Sequence, residues 1–196
     1  MKHFRTAIVV TVFWTVVLGG AYPLLMTGIG ALFFPQKTRG SLIVKDEKTI
    51  GSSLIGQDFQ SALYFHPRPS AIGYDASNSG ASNWGWTSAV LKKAYTARKS
   101  GWQKAFGPGE PPMDMLFASA SGLDPHISPA AAEMQAPAVA AARHLSPDQA
   151  AKLLALVRQH EKGPQLGFLG EPRVNVLSLN LAVDATFGKQ GAQPAR

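Results

Sequence analysis

The chain has no cysteine among its 196 residues. That absence excludes a disulfide framework, a Cys-ligated zinc or iron–sulfur centre and a thiol nucleophile. It leaves the redox compartment open, because a core of adequate size needs no disulfide. Charge is scarce too: Asp, Glu, Lys and Arg make up 16%, against about 25% in ordinary soluble chains. A disordered, charge-rich protein is thereby excluded. Familiar catalytic patterns are missing as well. No Gly-x4-Gly-Lys-Ser/Thr loop offers a phosphate cradle, and Ser119-Ala120-Ser121-Gly122 lacks the leading glycine of a nucleophile elbow. The five histidines, at 3, 66, 126, 144 and 160, form no His-Glu-x-x-His pair. Inserted Glu47 and Ile50 break the match of Asp46-Glu47-Lys48-Thr49-Ile50-Gly51 to an Asp-Lys-Thr-Gly phosphorylation motif. A Thr-Val-Gly-Tyr-Gly channel filter is absent.

What is present is a long apolar run. Arg5 and Lys37 flank 31 residues, 6–36, without one acidic or basic side chain. As an unbroken helix this stretch reaches about 46 Å at about 1.5 Å per residue, more than the roughly 30 Å hydrocarbon core of a bilayer. Both halves are apolar all round, the pattern of a lipid-facing helix. Pro23 follows Gly19-Gly20, removes a backbone donor and predicts a kink of the kind membrane helices tolerate. Trp14 and Tyr22 are interface-type aromatics. A signal peptide carries an apolar region of only about 7–15 residues, so an uncleaved anchor is the expectation. The charge rule leaves its orientation open. Lys2 and Arg5 lie before the run, and Lys37, Arg39, Lys45 and Lys48 lie after it.

Residues 37–196 suffice for one core. They hold 17 basic and 12 acidic residues once Lys2 and Arg5 are set aside. The bias is mild and contains no Lys/Arg run, which argues against a nucleic-acid partner. Residues 50–83 are rich in Gly, Ser, Pro and Asn and read as irregular backbone with at most short strands. A helix over 87–106 is predicted by the stripe Leu91, Tyr95, Trp102 and Phe106, with lysines mostly opposite. The Gly/Pro-rich stretch 107–112 ends it. Residues 114–120 read as a buried strand. Ser128-Pro129 starts a helix that Pro137 is expected to interrupt. Ser146 and Gln149 form a capping box for another helix, which buries Leu153, Leu154 and Val157 and stops at Gly163-Pro164. Residues 174–187 fit a helix capped by Asn175 better than a strand.

The loop 119–128 places Asp124 and His126 two apart before a helix start. A helix N-terminus suits an anion or nucleotide. Turn and cap chemistry accounts for the same composition without a ligand.

Four segments carry a family resemblance: YFHPRPSA (64–71), SGASN (79–83), PMDMLFASASGLDPHISPAAAEMQ (112–135) and GFLGEPRVNVLSLNLAVD (167–184). Together with the single apolar segment, they resemble the C subunit of the Kdp-type potassium-transporting ATPase. Trp84-Gly85-Trp86-Thr87-Ser88 departs from the family, which usually carries a Gly-Pro-Thr-Asn type sequence after Ser-Asn. The expected fold is α+β (mixed), with one N-terminal transmembrane helix followed by a single extracytoplasmic α/β domain. Residues 1–36 are the cytoplasmic tail and anchor, and 37–196 a periplasmic soluble domain.

The resemblance implies a non-catalytic subunit of an inner-membrane complex for high-affinity potassium uptake. Its partners are a channel-like A subunit that binds potassium, an ATP-hydrolysing B subunit and a small F subunit. The chain has no cofactor of its own; ATP and potassium belong to the complex. The family is described as a catalytic chaperone that raises nucleotide affinity, and Gln135 matches a nucleotide-linked glutamine of its pattern. Tyr64, Arg68, Ser70, Asn83, Ser121, Gly122, Asp124, His126, Asn175 and Asn180 are implied as partner or structural motif residues. The implied topology puts Gln135 outside and ATP inside, so an effect on nucleotide is expected to be indirect. The alternative is an exported periplasmic enzyme with a cleaved signal peptide, using Asp124 and His126 for acid–base or metal chemistry. Outside residues 6–36, the 31 charged residues are still only about 19% of the remainder. A surface used for contact with partner subunits accounts for that shortage.

Overall fold

The computed structural model describes residues 2–45 and 47–189; Asp46 of the broken phosphorylation motif lies outside them. The fold is mixed helix and sheet, and the chain divides between Ser52 and Ser53 into two compact units.

The first unit begins with helix α1 (Lys2–Val16), a π turn (Val17–Ala21) and helix α2 (Tyr22–Phe33). The continuous helical stretch His3–Phe33 is long and apolar enough to cross a membrane. Its large side chains stand exposed among the described residues: Phe4, Leu24 and Leu32 are all more than 70% exposed. The π turn ends two residues before Pro23. A proline ring collides with the carbonyl four residues back, here that of Gly19, and the wider π turn is a local way around such a clash. A short helix α3 (Pro35–Thr38) leads into the antiparallel hairpin β1 (Leu42–Lys45) and β2 (Lys48–Ser52). A bulge between Ile43 and Val44 disturbs its register. Sequence reasoning missed this hairpin.

The second unit contains helices α4 (Ala89–Phe106), α5 (Met113–Leu116), α6 (Pro129–Ala142), α7 (Pro147–Gln159) and α8 (Val176–Phe187). It also has three short strands, β3 (His126–Ile127), β4 (Glu161–Lys162) and β5 (Arg173–Asn175), paired antiparallel in the order β3-β5-β4. Alanines 131, 132, 136 and 140 of α6 are buried, and α6 packs on α7. Small side chains allow that close approach. Leu153 and Val157 of α7 are buried, with Leu154 only partly so. Trp102 of α4 and Val176, Leu179 and Val183 of α8 complete the core with Phe65.

The helix starts follow their local codes. Ser128 accepts from Ala131 N–H at 3.1 Å, and Asn175 accepts from Ser178 N–H at 2.9 Å. Ser146 and Gln149 form the reciprocal box. Three details differ from the sequence reading. First, α6 runs through Pro137 without a break. The carbonyl this proline frees is that of Glu133, and both residues lie on the exposed face, where water can take it. Second, residues 113–116 form one helical turn rather than a strand. Asp114 accepts from Ser128 N–H at 2.7 Å and from its hydroxyl at 3.1 Å. That tie coincides with a turn that buries Met115 and Leu116 side by side. Third, α7 stops at Gln159 and β4 follows, before Gly163-Pro164.

Candidate functional site

The segment 63–70, Leu-Tyr-Phe-His-Pro-Arg-Pro-Ser, belongs to no helix or strand, yet it passes through the core with Phe65 fully buried. Buried peptide groups need partners, and side chains supply them here. Asn180 of α8 accepts from Phe65 N–H at 2.9 Å and donates to Phe65 C=O at 3.0 Å. Gln135 of α6 accepts from His66 N–H at 2.7 Å and donates to His66 C=O at 3.2 Å. Each amide therefore acts as a neighbouring strand would, on two successive residues. Both are buried, Gln135 completely. Arg143, which caps the C-terminal end of α6, donates from Nε to Leu63 C=O at 2.6 Å.

Arg143 also pairs with Asp184 of α8 at 2.7 Å, and Tyr64 donates its hydroxyl to the same carboxylate at 2.9 Å. The guanidinium lies 5.0 Å from the Tyr64 ring centroid, within cation–π range. Burial first, then the Asp184 carboxylate, pushes the Tyr64 phenol above its ordinary value. Burial also holds His66 below the usual imidazole range, against its contact with Ser61 C=O. The His66 ring meets Phe106 edge-on at 5.3 Å.

Further along, the strap joins the loop 119–126. Arg68 pairs with Asp124 at 2.8 Å. Asp124 also accepts from His126 N–H at 3.0 Å, which fixes a two-residue turn. Burial raises the Asp124 carboxyl, but the hydrogen bonds from His126 and Arg68 outweigh it and hold it below its ordinary value. The group is thus an ionised pin rather than a base poised near neutrality. Ser70 donates to Gly122 C=O at 2.7 Å and accepts from Ile72 and Tyr74 N–H at 3.2 and 3.1 Å. Tyr74 donates its hydroxyl to Arg68 C=O. Ser121 accepts from Leu123 N–H at 3.1 Å. Burial first, and then Asp58 and Asp124, push the Tyr74 phenol far up.

Glycine is required at the crossing itself. Gly122 sits at φ +70°, and a Cβ there would come within 2.5 Å of Ile72 and 2.8 Å of the Gly80 carbonyl. Gly122→Ala is expected to cost about 2–4 kcal/mol, combining left-handed strain with overpacking. Thermal unfolding checks this; a midpoint equal to the parent's would refute it.

The structure thus brings Arg68, Ser70, Ser121, Gly122, Asp124 and His126 into one cluster. Tyr64 belongs to the preceding part of the strap, which Gln135 and Asn180 line. Asn175 caps α8 and donates to Ser53 C=O at 2.9 Å. Asn83 is exposed in irregular backbone at φ +53°, and no described contact ties it to either set. Sequence reasoning missed Arg143 and Asp184. Their signal was a charge at the end of an alanine-rich helix and another inside an apolar one. A cleft of about 530 Å³ opens beside the cluster, lined by Arg68, Asp114, Asp124, His126, Glu171 and Arg173 among others. Among the described residues, no three His, Asp or Glu side chains converge as metal ligands.

Comparison with known proteins follows the same stretch of chain. The family model described as KdpC, K+-transporting ATPase c chain, matches residues 4–185. The potassium-transporting ATPase KdpC subunit of Acidobacterium capsulatum is 49% identical over 186 residues, covering 94% of this chain and 98% of the relative. That of Koribacter versatilis is 48% identical, covering 94% and 95%. That of Nitratidesulfovibrio vulgaris is 50% identical, covering 94% of each.

Proposed function

The chain belongs to the KdpC family of K+-transporting ATPase c chains, and from that premise we propose that it is the non-catalytic, membrane-anchored subunit of an ATP-driven potassium-uptake complex. It stabilises the assembly and raises the nucleotide affinity of the ATP-hydrolysing subunit. Its partners are that B subunit, the potassium-binding A subunit and the small F subunit. ATP and potassium are bound by the complex, and this chain holds no cofactor. The helix His3–Phe33 crosses the inner membrane with its N-terminus in the cytoplasm, and the second unit stands in the periplasm.

The observation that carries this reading is the direction of the polar side chains. Gln135, Asn180, Arg143 and Asp124 all direct their hydrogen-bonding groups at their own chain. Such a network makes a rigid platform. Apolar groups, by contrast, are offered outward at the hairpin closed by the Gln165–Leu169 bridge. Leu166 is 83% exposed at φ +53°, and Phe168 is 75% exposed. A leucine held in left-handed backbone costs strain, and among the described residues of the second unit nothing covers its side chain. We assign this finger to contact with a partner subunit. With ATP on the opposite side of the membrane, the effect on nucleotide is a coupling carried by the anchor and by docking, not a direct contact.

The test is assembly. The parent chain should co-purify with two larger membrane proteins showing potassium-stimulated ATPase activity, with a lowered KM for ATP. Leu166→Asp/Phe168→Asp should lose that co-purification at least tenfold, while the chain keeps its own unfolding midpoint. Unchanged pump activity and assembly without the chain would overturn the proposal.

A further inference from the structure

The first unit ends in a basic segment. Residues 37–52 hold Lys37, Arg39, Lys45 and Lys48 against Asp46 and Glu47. All four cations are exposed, and among the described residues none of them has an acidic partner. Lys45 and Lys48 stand directly opposite each other in the β1–β2 ladder. Like charges so placed destabilise a hairpin, and an anion held between them removes the repulsion.

The same unit fixes where these cations sit along the anchor. Helix α3 folds back beside the last turn of α2, so that a Cβ on Gly30 would lie 3.1 Å from Thr38 Cγ2. Ser41 N–H donates to Gln36 C=O at 3.0 Å, and the Ser52 hydroxyl to Gly40 C=O at 2.6 Å. These bonds fasten the base of the hairpin to α3 and so to the level of Gly30. From Arg5 to Gly30 the helix rises about 38 Å. That exceeds the roughly 30 Å hydrocarbon core and fits within the roughly 40–45 Å of the whole bilayer. With Arg5 in one headgroup layer, Lys37 and Arg39 lie in the other. Strand β1 extends only about 10 Å from Leu42 to Lys45. Whichever way the hairpin points, Lys45 and Lys48 thus stay within about one screening length of its base. All of these residues belong to the first unit, the same compact unit as the helix.

We infer that this collar of four cations binds the headgroup phosphates of anionic lipids in the leaflet where the helix ends. One phosphate seats between Lys45 and Lys48, and Lys37 and Arg39 hold others nearer the helix. Lysine is depleted at the cores of protein–protein interfaces, whereas basic clusters beside a membrane helix attract anionic lipid. The collar also sets depth. The helix is about 16 Å longer than the hydrocarbon core, so its apolar length alone leaves its depth and tilt open. Charges bound at both ends close that freedom. This rests on the anchor reading of His3–Phe33 but not on the identity of any partner subunit.

The absence of native cysteine makes a direct test simple. Leu42→Cys in the full chain carries a fluorophore, and the chain is embedded in phosphatidylcholine nanodiscs. A small fraction of nitroxide-labelled lipid is added, either phosphatidylglycerol or phosphatidylcholine, with the nitroxide close to the headgroup. Quenching is expected to show phosphatidylglycerol associating about fivefold or more above phosphatidylcholine, the contribution of a single cation near the surface. Lys37→Gln/Arg39→Gln/Lys45→Gln/Lys48→Gln should bring the two lipids to parity. Salt at 1 M, where the screening length is about 3 Å, should weaken the preference. Lys2→Gln/Arg5→Gln, at the other end of the helix, should leave it unchanged.

Equal quenching by the two lipids in the parent would overturn the proposal, as would a preference that survives the quadruple substitution. Loss of the preference on adding millimolar inorganic phosphate would assign the cations to a free anion and overturn the lipid assignment. Shielding of the label from both lipids in the assembled complex would assign the hairpin to a protein contact and would also overturn it. Release of the chain by alkaline carbonate would sink the anchor reading together with this one, whereas an embedded chain without a lipid preference would sink this one alone.

Discussion

Gln135→Ala is expected to destabilise the protein by about 2–6 kcal/mol, because it orphans two buried backbone groups at about 1–3 kcal/mol each. The side chain is fully buried, and its oxygen and nitrogen are both taken by His66. Gln135→Glu separates the two bonds: it keeps an acceptor for His66 N–H but sets a carboxylate against His66 C=O. It should therefore fail to rescue, although it preserves size. Chemical unfolding of the full chain in detergent reads the effect. A Gln135→Ala protein as stable as the parent, with altered nucleotide dependence in the complex, would instead show that Gln135 acts on nucleotide other than through the stability of the domain. In the structure a substitution at Gln135 reaches the strap first, so changed ATPase behaviour in such a variant is expected to accompany a loosened domain.

Arg143→Met should cost about 3–5 kcal/mol, the range for breaking a buried ion pair from one side. Arg143 is 1% exposed, the carboxyl side chain of Asp184 only 10%, and the pair is closed at 2.7 Å. The methionine fills much of the volume but leaves Asp184 as an uncompensated charge. It also strips Leu63 C=O of its 2.6 Å donor and Tyr64 of its stacked guanidinium. Removing both charges, in Arg143→Met/Asp184→Leu, should restore a large part of the loss, since the desolvation cost of the pair disappears with it. A double variant no more stable than the single one would show that the Leu63 and Tyr64 contacts, rather than the charge pair, dominate.

The resemblance named Gln135 and Asn180, but the role each plays was hard to read in the sequence for a simple reason. Gln135 reaches back 69 residues to His66, and Asn180 reaches back 115 to Phe65. Nothing in the neighbourhood of either residue announces such a bond. An amide in a helix reads as an ordinary polar position. The helix caps at Ser128, Ser146 and Asn175 were legible because each bonds a backbone group only three residues on. The strap itself was legible only as irregular backbone, since prolines 67 and 69 remove the donors a sheet would need. The turn at 113–116 was misread because apolar content cannot separate one helical turn from a short strand. There a contact between Asp114 and Ser128, fourteen residues away, accompanies the helical outcome.

By itself the sequence determined the long apolar helix, because 31 uncharged residues have few other stable environments. It also determined the capped starts of α6, α7 and α8 and the family resemblance, all of which depend on residues close together in the chain. Only the tertiary structure decided what the polar residues of the resemblance motifs do. It turned Gln135 and Asn180 inward as stand-ins for a missing strand and made Asp124 a pinned anion. It left Leu166 and Phe168 facing outward. Packing made those choices: buried backbone must be satisfied wherever the chain crosses the core, and the side chains that meet it come from helices remote in sequence.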